Sequence, residues 1–191
     1  TKQVDEIRIA SFNLLNFFNG DGQGNGFPTQ RGATNAIEFN RQKDKLVNAL
    51  IALNADVIGL MELENDGYDS NSAIAELVDA LNNAYGTNRY SFVNPQLNKL
   101  GDDQIAVGLI FDSSRLTLVG NTVTTAQFPF NWGNRQPLVQ SFLQTGTTET
   151  FTVAVNHFKS KGSCGNATNN NQDQLDGQGC WNELRTQAAE T

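Results

Sequence analysis

Glu62 closes the nearly continuous apolar run Ala55-Asp56-Val57-Ile58-Gly59-Leu60-Met61. A carboxylate at the end of a buried run needs a partner. A hard divalent cation such as Mg²⁺ binds carboxylate oxygen and keeps several of its waters; the alternative is a strand-end Glu in solvent. His157 is the only histidine, and it follows Val153-Ala154-Val155, with Lys159 and Lys161 just beyond. A neutral imidazole beside cations can move a proton near neutral pH; the alternative is a half-buried His with one hydrogen bond. Asn13, near the end of the first apolar segment, suits a scissile phosphate or a metal-bound carboxylate, or else forms a turn. Arg135 precedes another apolar segment, and a guanidinium grips phosphate bidentately; the alternative is a surface Arg. Asp102 and Asp103 precede Ile105–Phe111, as acceptors for a His or a metal or as a turn. For none of Glu62, His157, Asn13, Arg135, Asp102 and Asp103 do the residues alone choose between the two readings; Lys159, beside His157, is a candidate to hold a substrate phosphate. Each signal is weak alone. Their common position at strand ends is stronger, because sheet proteins build sites where strand ends converge.

The elements that must position them follow from hydrophobic periodicity. Strands are expected at Ile7–Leu15, Val57–Met61, Tyr90–Val93, Ile105–Phe111, Leu116–Thr124, Leu138–Leu143 and Phe151–Phe158. The turn-forming Gln144-Thr145-Gly146-Thr147-Thr148 joins the last two as a hairpin. Helices are expected at Asn35–Leu53 and Ser72–Asn83, where apolar residues recur near the 3.6 period, and Trp181–Thr191 begins like a third. Gly20–Gly32, with five glycines and a proline, reads as a loop. Two βα steps followed by antiparallel-looking strands predict an α/β fold, a mixed sheet with helices on one face. Several strands are apolar on both faces, so the second face must meet another sheet or another chain, which this sequence is not expected to contain.

Composition bounds the partners. The 191 residues suit one domain. Apolar residues with glycine make up about 47%, the globular range of about 45–50%. No run approaches the ~20 apolar residues of a membrane span, and the polar opening residues read as no signal peptide, which leaves room for one already removed. The net charge of −7 argues against holding nucleic acid by bulk charge; local cations or a metal must draw a polyanion. The 24 asparagines and only 17% charged residues give a neutral-polar, extracellular character. Cys164 and Cys180 sit in and at the end of the Gly/Asn/Gln-rich stretch Gly162–Gly179. That stretch has little apolar material to bury free thiols. We expect a disulfide, hence an oxidising compartment.

Three segments together resemble the endonuclease/exonuclease/phosphatase superfamily, the deoxyribonuclease I-like group, and within it the secreted bacterial extracellular nucleases. They are Ser11-Phe12-Asn13-Leu14-Leu15-Asn16, Ala55 through Asn65, and Asn156-His157-Phe158-Lys159-Ser160-Lys161-Gly162. Supporting marks are Arg31-Gly32-Ala33, Glu38-Phe39-Asn40-Arg41-Gln42 and Asp176-Gly177-Gln178-Gly179-Cys180-Trp181-Asn182. The resemblance implies a two-sheet sandwich and metal-dependent attack of water on a phosphodiester. It implies that Asn13 supports metal and phosphate, that Glu62 binds Mg²⁺ (or Mn²⁺ or Ca²⁺) and that Arg135 contacts the phosphate backbone. His157 would be a general acid/base paired with Asp103.

The family's later Gly-Asp-Phe-Asn and Asp-His motifs do not occur here. The chain is therefore expected to be the N-terminal half of a single domain, residues 1–191, with the other half on the same or another polypeptide. The function expected is a secreted divalent-metal-dependent nuclease acting on DNA or RNA, inactive without that half. The alternatives are a non-catalytic binding or assembly scaffold, or a phosphomonoesterase or phospholipid phosphodiesterase of the same superfamily.

Overall fold

The computed structural model describes residues 2, 3 and 5–191. Seven strands and three α-helices follow in the order β1 (Ile9–Phe17), α1 (Ala36–Leu53), β2 (Val57–Glu64), α2 (Ala73–Tyr85), β3 (Tyr90–Phe92), β4 (Ile105–Asp112), β5 (Leu116–Val123), β6 (Leu138–Gln144), β7 (Thr150–Val155) and α3 (Asn182–Glu190). The helix boundaries have local causes. Asn35 caps α1 by accepting from the Glu38 amide at 3.0 Å, and the Glu38 carboxylate reaches back to the Thr34 amide. Asn54, in the left-handed region at φ 45°, ends the helix. Ser72 caps α2, and Gly86 at φ +68° ends it.

The strands form two sheets, ordered β1-β2-β4-β3 and β5-β6-β7. In the first, β1 and β2 are parallel, joined through α1, while β4 runs antiparallel to both β2 and β3. One face of this sheet, with Ile58, Leu60 and Ile110, packs against Phe39, Leu46 and Leu50 of α1 and Ile74, Leu77 and Leu81 of α2. The opposite face, with Val57, Val107, Leu109 and Phe111, packs against Leu116, Leu138, Phe142 and Val155 of the second sheet. Gly59 permits the close approach: a Cβ there would lie 2.9 Å from Val155 Cγ2.

The expectation that nothing in this sequence covers the second face is thereby corrected. The strands read as continuing one mixed sheet peel off into another layer. The Asp112 carboxylate accepts from the Ser114 amide and hydroxyl, closing the turn that carries the chain from β4 across to β5. A hairpin pattern reads the same in either layer, so periodicity alone does not separate the sheets. The last strand is also shorter than expected. β7 ends at Val155, and His157 lies in the segment after it.

Asp56, fully buried at the entry to β2, ties the layers together. It accepts from the Arg8 amide at 2.7 Å and pairs with Lys2 at 2.6 Å and Arg115 at 3.2 Å. In each sheet one edge strand borders the seam between the layers. Among the described residues β1 pairs only with β2, and β7 only with β6. Between them lies a cavity of about 400 Å³, lined by Ile9, Ser11, Gly59, Met61, Val153 and Val155.

Candidate active site

Two irregularities at one level of the first sheet build the site. On β2, Leu60 pairs with Gly108 and Leu63 with Ala106, so β2 carries one extra residue. Glu62 sits in that bulge at φ +59°, a backbone region costly for a residue with a side chain. The bulge puts Leu60 and Leu63 on the same helix-facing core although they are three apart. It also turns the Glu62 carboxylate toward the second sheet. On β1, Asn13 pairs with Met61 and Phe17 with Leu63, leaving two extra residues. Leu15 and Asn16 absorb them at φ 57° and 53°. Gln42 of α1 steadies this kink by donating to the Leu14 and Leu15 carbonyls at 3.0 and 2.9 Å.

Asn13 links the two bulges. Its carbonyl oxygen accepts from the Leu15 amide at 2.8 Å, which fixes the side chain, and its Nδ2 donates to Glu62 Oε1 at 2.9 Å. The His157 Nε2 lies 4.0 Å from the same oxygen. Asn13 on β1, Glu62 on β2 and His157 in the segment just after β7 thus converge. Burial holds the His157 imidazole below its ordinary pKa, and the nearby Arg135 guanidinium adds to this; Glu62 and Asp103 oppose it without prevailing. The shift favours the neutral imidazole. Its Nδ1 is buried and has no hydrogen-bond partner among the described residues.

Arg135 and Asp103 form a second group beside the first. The Arg135 amide donates to the His157 carbonyl at 3.1 Å, and its Nε donates to Asp103 Oδ2 at 3.0 Å. Arg31 pairs with Asp103 Oδ1 at 3.3 Å. The direct partners of the Asp103 carboxylate are the two arginines and the Ile105 amide, which donates to Oδ1 at 3.4 Å; among the described residues it holds no hydrogen bond to His157. The Lys159 side chain lies against Trp181. Its ammonium lies 5.2 Å over the Trp181 ring, and its amide donates to the buried Asn134 at 2.8 Å. Burial and the neighbouring Arg135 and Arg185 lower the Lys159 pKa. Cys164 and Cys180 are joined as a disulfide.

Arg31 and Gln42 were marks of resemblance in the sequence, with no role attached. Arg31 lies in the glycine-rich loop, 72 residues before Asp103, and no local pattern signals that pairing. Asn134 carried no signal either. It pins the Pro129 and Leu184 carbonyls to the segment after His157.

The donor set fits a hard cation. Glu62 Oε1 is held by Asn13, and Oε2 accepts no hydrogen bond among the described residues. No group of three His, Cys, Asp or Glu able to hold a metal occurs among the described residues. The open Glu62 oxygen is the carboxylate oxygen chemistry that hard divalent cations take, with water or substrate oxygen completing the shell.

Among solved structures, the chain is similar to an endonuclease/exonuclease/phosphatase family protein from Bacteroides thetaiotaomicron. The TM-score is 0.52 at 12% identity, covering 82% of this chain and 52% of that one. It is also similar to the human Nocturnin catalytic domain, solved with bound sulfate, at a TM-score of 0.48 and 16% identity, covering 81% of this chain and 50% of that one. No family model matches the sequence, and no curated protein does. The fold is that of the endonuclease/exonuclease/phosphatase superfamily. The chain spans about half the length of these solved relatives.

Proposed function

We propose that this chain is the N-terminal half of a secreted, divalent-metal-dependent nuclease that hydrolyses phosphodiester bonds of extracellular DNA. The observation that carries the reading is the meeting of Asn13, Glu62 and His157 at one oxygen, with Arg135 beside them. Glu62 would hold Mg²⁺, Mn²⁺ or Ca²⁺, which when bound polarises a phosphoryl oxygen and stabilises developing charge. Asn13 keeps the Glu62 carboxylate in place. His157, whose neutral form burial favours, is able to take or give a proton at Nε2. Arg135, held by Asp103, presents its remaining donors to a phosphate. Asp103, with both oxygens on arginines, positions Arg135 rather than moving a proton.

The partner half of the domain has two supports. The unpartnered Nδ1 of His157 needs an acceptor or donor that the described residues do not supply. The β1 and β7 edges flank an apolar seam that a further pair of strands would close. Secretion is supported by the Cys164–Cys180 disulfide. No helix among the described residues is long and apolar enough to cross a membrane.

The test is cleavage of plasmid DNA by the complete protein with and without added Mg²⁺ or Mn²⁺. Cleavage that requires the metal and is lost in Glu62→Ala and His157→Ala, both still folded by circular dichroism, is the expected result. Turnover of a phospholipid but not of DNA contradicts the nuclease reading. Absence of any hydrolysis, with DNA still bound, assigns the chain to a binding scaffold.

A further inference from the structure

Beside the Glu62–His157 centre lies a second concavity of about 420 Å³, between the Gly101–Asp103 turn and the loop 130–136. Arg135 belongs to both. Its amide holds the His157 carbonyl, and its guanidinium lies on Asp103, in the wall of this concavity. A group attached to a phosphate gripped by Arg135 is therefore directed into it.

The wall carries an exposed aromatic ring braced by a buried one. Trp132 is 56% exposed there, while its neighbour Trp181 is only 6% exposed. The two rings lie 5.1 Å apart at 58°. Trp181 is itself fixed, because its Nε1 donates to the Gly162 and Ser163 carbonyls and it follows the disulfide-bonded Cys180. The disulfide loop thus braces one side of Trp132 and leaves much of the ring open to the concavity. A rigid, exposed aromatic surface binds a planar ring at little entropic cost.

Charge selects the occupant. Arg135 in the lining, with Arg31 beside it on Asp103, draws one phosphate, while the Asp102 carboxylate in the lining disfavours a second. What fits inside is an uncharged planar group with hydrogen-bonding edges, facing the Asn131 and Gln136 amides and the Asp102 carboxylate. We propose that this concavity is a nucleobase subsite, in which the base flanking the phosphate held by Arg135 stacks on Trp132. The proposal rests on the nuclease reading and narrows its substrate. A base seated here is out of its duplex stack, so the DNA engaged is single-stranded or locally opened.

The experiment compares two oligomers of equal phosphate number, an eight-residue single-stranded DNA and the same backbone built entirely of abasic residues. Binding is read by fluorescence anisotropy of an end label, with Ca²⁺ present and phosphorothioate linkages in both oligomers so that nothing is cleaved. Stacking of one base predicts that the base-bearing oligomer binds about tenfold tighter. That ratio should fall to near one in Trp132→Ala and recover in Trp132→Phe. A ratio near one in the unaltered protein, or a ratio undiminished in Trp132→Ala, overturns the subsite while phosphate binding stands. Failure of both oligomers to bind removes the nucleic-acid reading itself, and the subsite with it.

Discussion

The Asn13 amide donates to Glu62 Oε1 at 2.9 Å across two parallel strands whose regular pairing is broken at this level on both sides. Each bulge alone would be a local defect. Together they aim an amide and a carboxylate at the same point, where His157 arrives from the other sheet.

Loss of the Asn13 amide should leave Glu62 free to swing while the fold persists. Asn13→Ala is expected to lower metal affinity or turnover about 10- to 100-fold, the range for groups that orient a metal ligand. Isothermal titration with Mn²⁺ and cleavage by the complete protein both read this out. Unchanged affinity and turnover would mean that Glu62 is held by its bulge alone.

His157 is the only histidine, so its imidazole protons titrate without overlap in an NMR spectrum. Burial and Arg135 lower its pKa, so the midpoint should lie below the ordinary 6.5 and rise when Arg135 becomes Met. The neutral form is the one favoured on folding. Its contribution to stability is therefore present above pH 6.5 and lost as pH falls through the folded-state value. A midpoint at or above 6.5 contradicts the burial seen here.

Glu64 titrates in the opposite sense. Burial, then the Asp66 charge, raise its pKa from 4.5 to about 7, against the Asn19 amide and Lys99. The protonated form is favoured on folding, so its contribution is complete below pH 4.5 and lost as pH rises through about 7. Glu64→Gln, which still accepts from the Asn19 amide, should raise the melting temperature at pH 8 and leave it nearly unchanged at pH 4. Equal shifts at both pH values would dissociate the residue from this effect.

Asp56 is a structural counterpart to these site charges. Asp56→Ala removes the acceptor shared by Lys2, Arg115 and the Arg8 amide in a fully buried place. The expected cost is about 3–5 kcal/mol, as for breaking one side of a buried ion pair. Urea denaturation measures it; a change below about 1 kcal/mol would mean solvent reaches the pair as it does at a surface.

The sequence made the helices and strands legible because Leu46, Leu50, Leu77 and Leu81 keep the helical period while Val57–Leu60 and Ile105–Phe111 are apolar throughout. Glu62 and His157 stood out because each follows such a run. The division into two sheets did not stand out, since β5–β7 would alternate alike in either layer. Nor did the bulges: Leu15, Asn16 and Glu62 adopt positive φ without a glycine to announce it. The pairing of Asp103 with Arg31 and Arg135 depends on tertiary placement. So does the exposure of Trp132, whose loop position in Asn131-Trp132-Gly133 resembles any turn.

The proposed chemistry requires a divalent ion against Glu62 within reach of His157. Paramagnetic Mn²⁺ broadens nearby nuclei steeply with distance, so adding it to this chain should erase the His157 ring signals first. Glu62→Gln should keep them sharp at the same Mn²⁺ concentration. His157 signals that survive Mn²⁺ in the unaltered chain, or that broaden equally in Glu62→Gln, would contradict it.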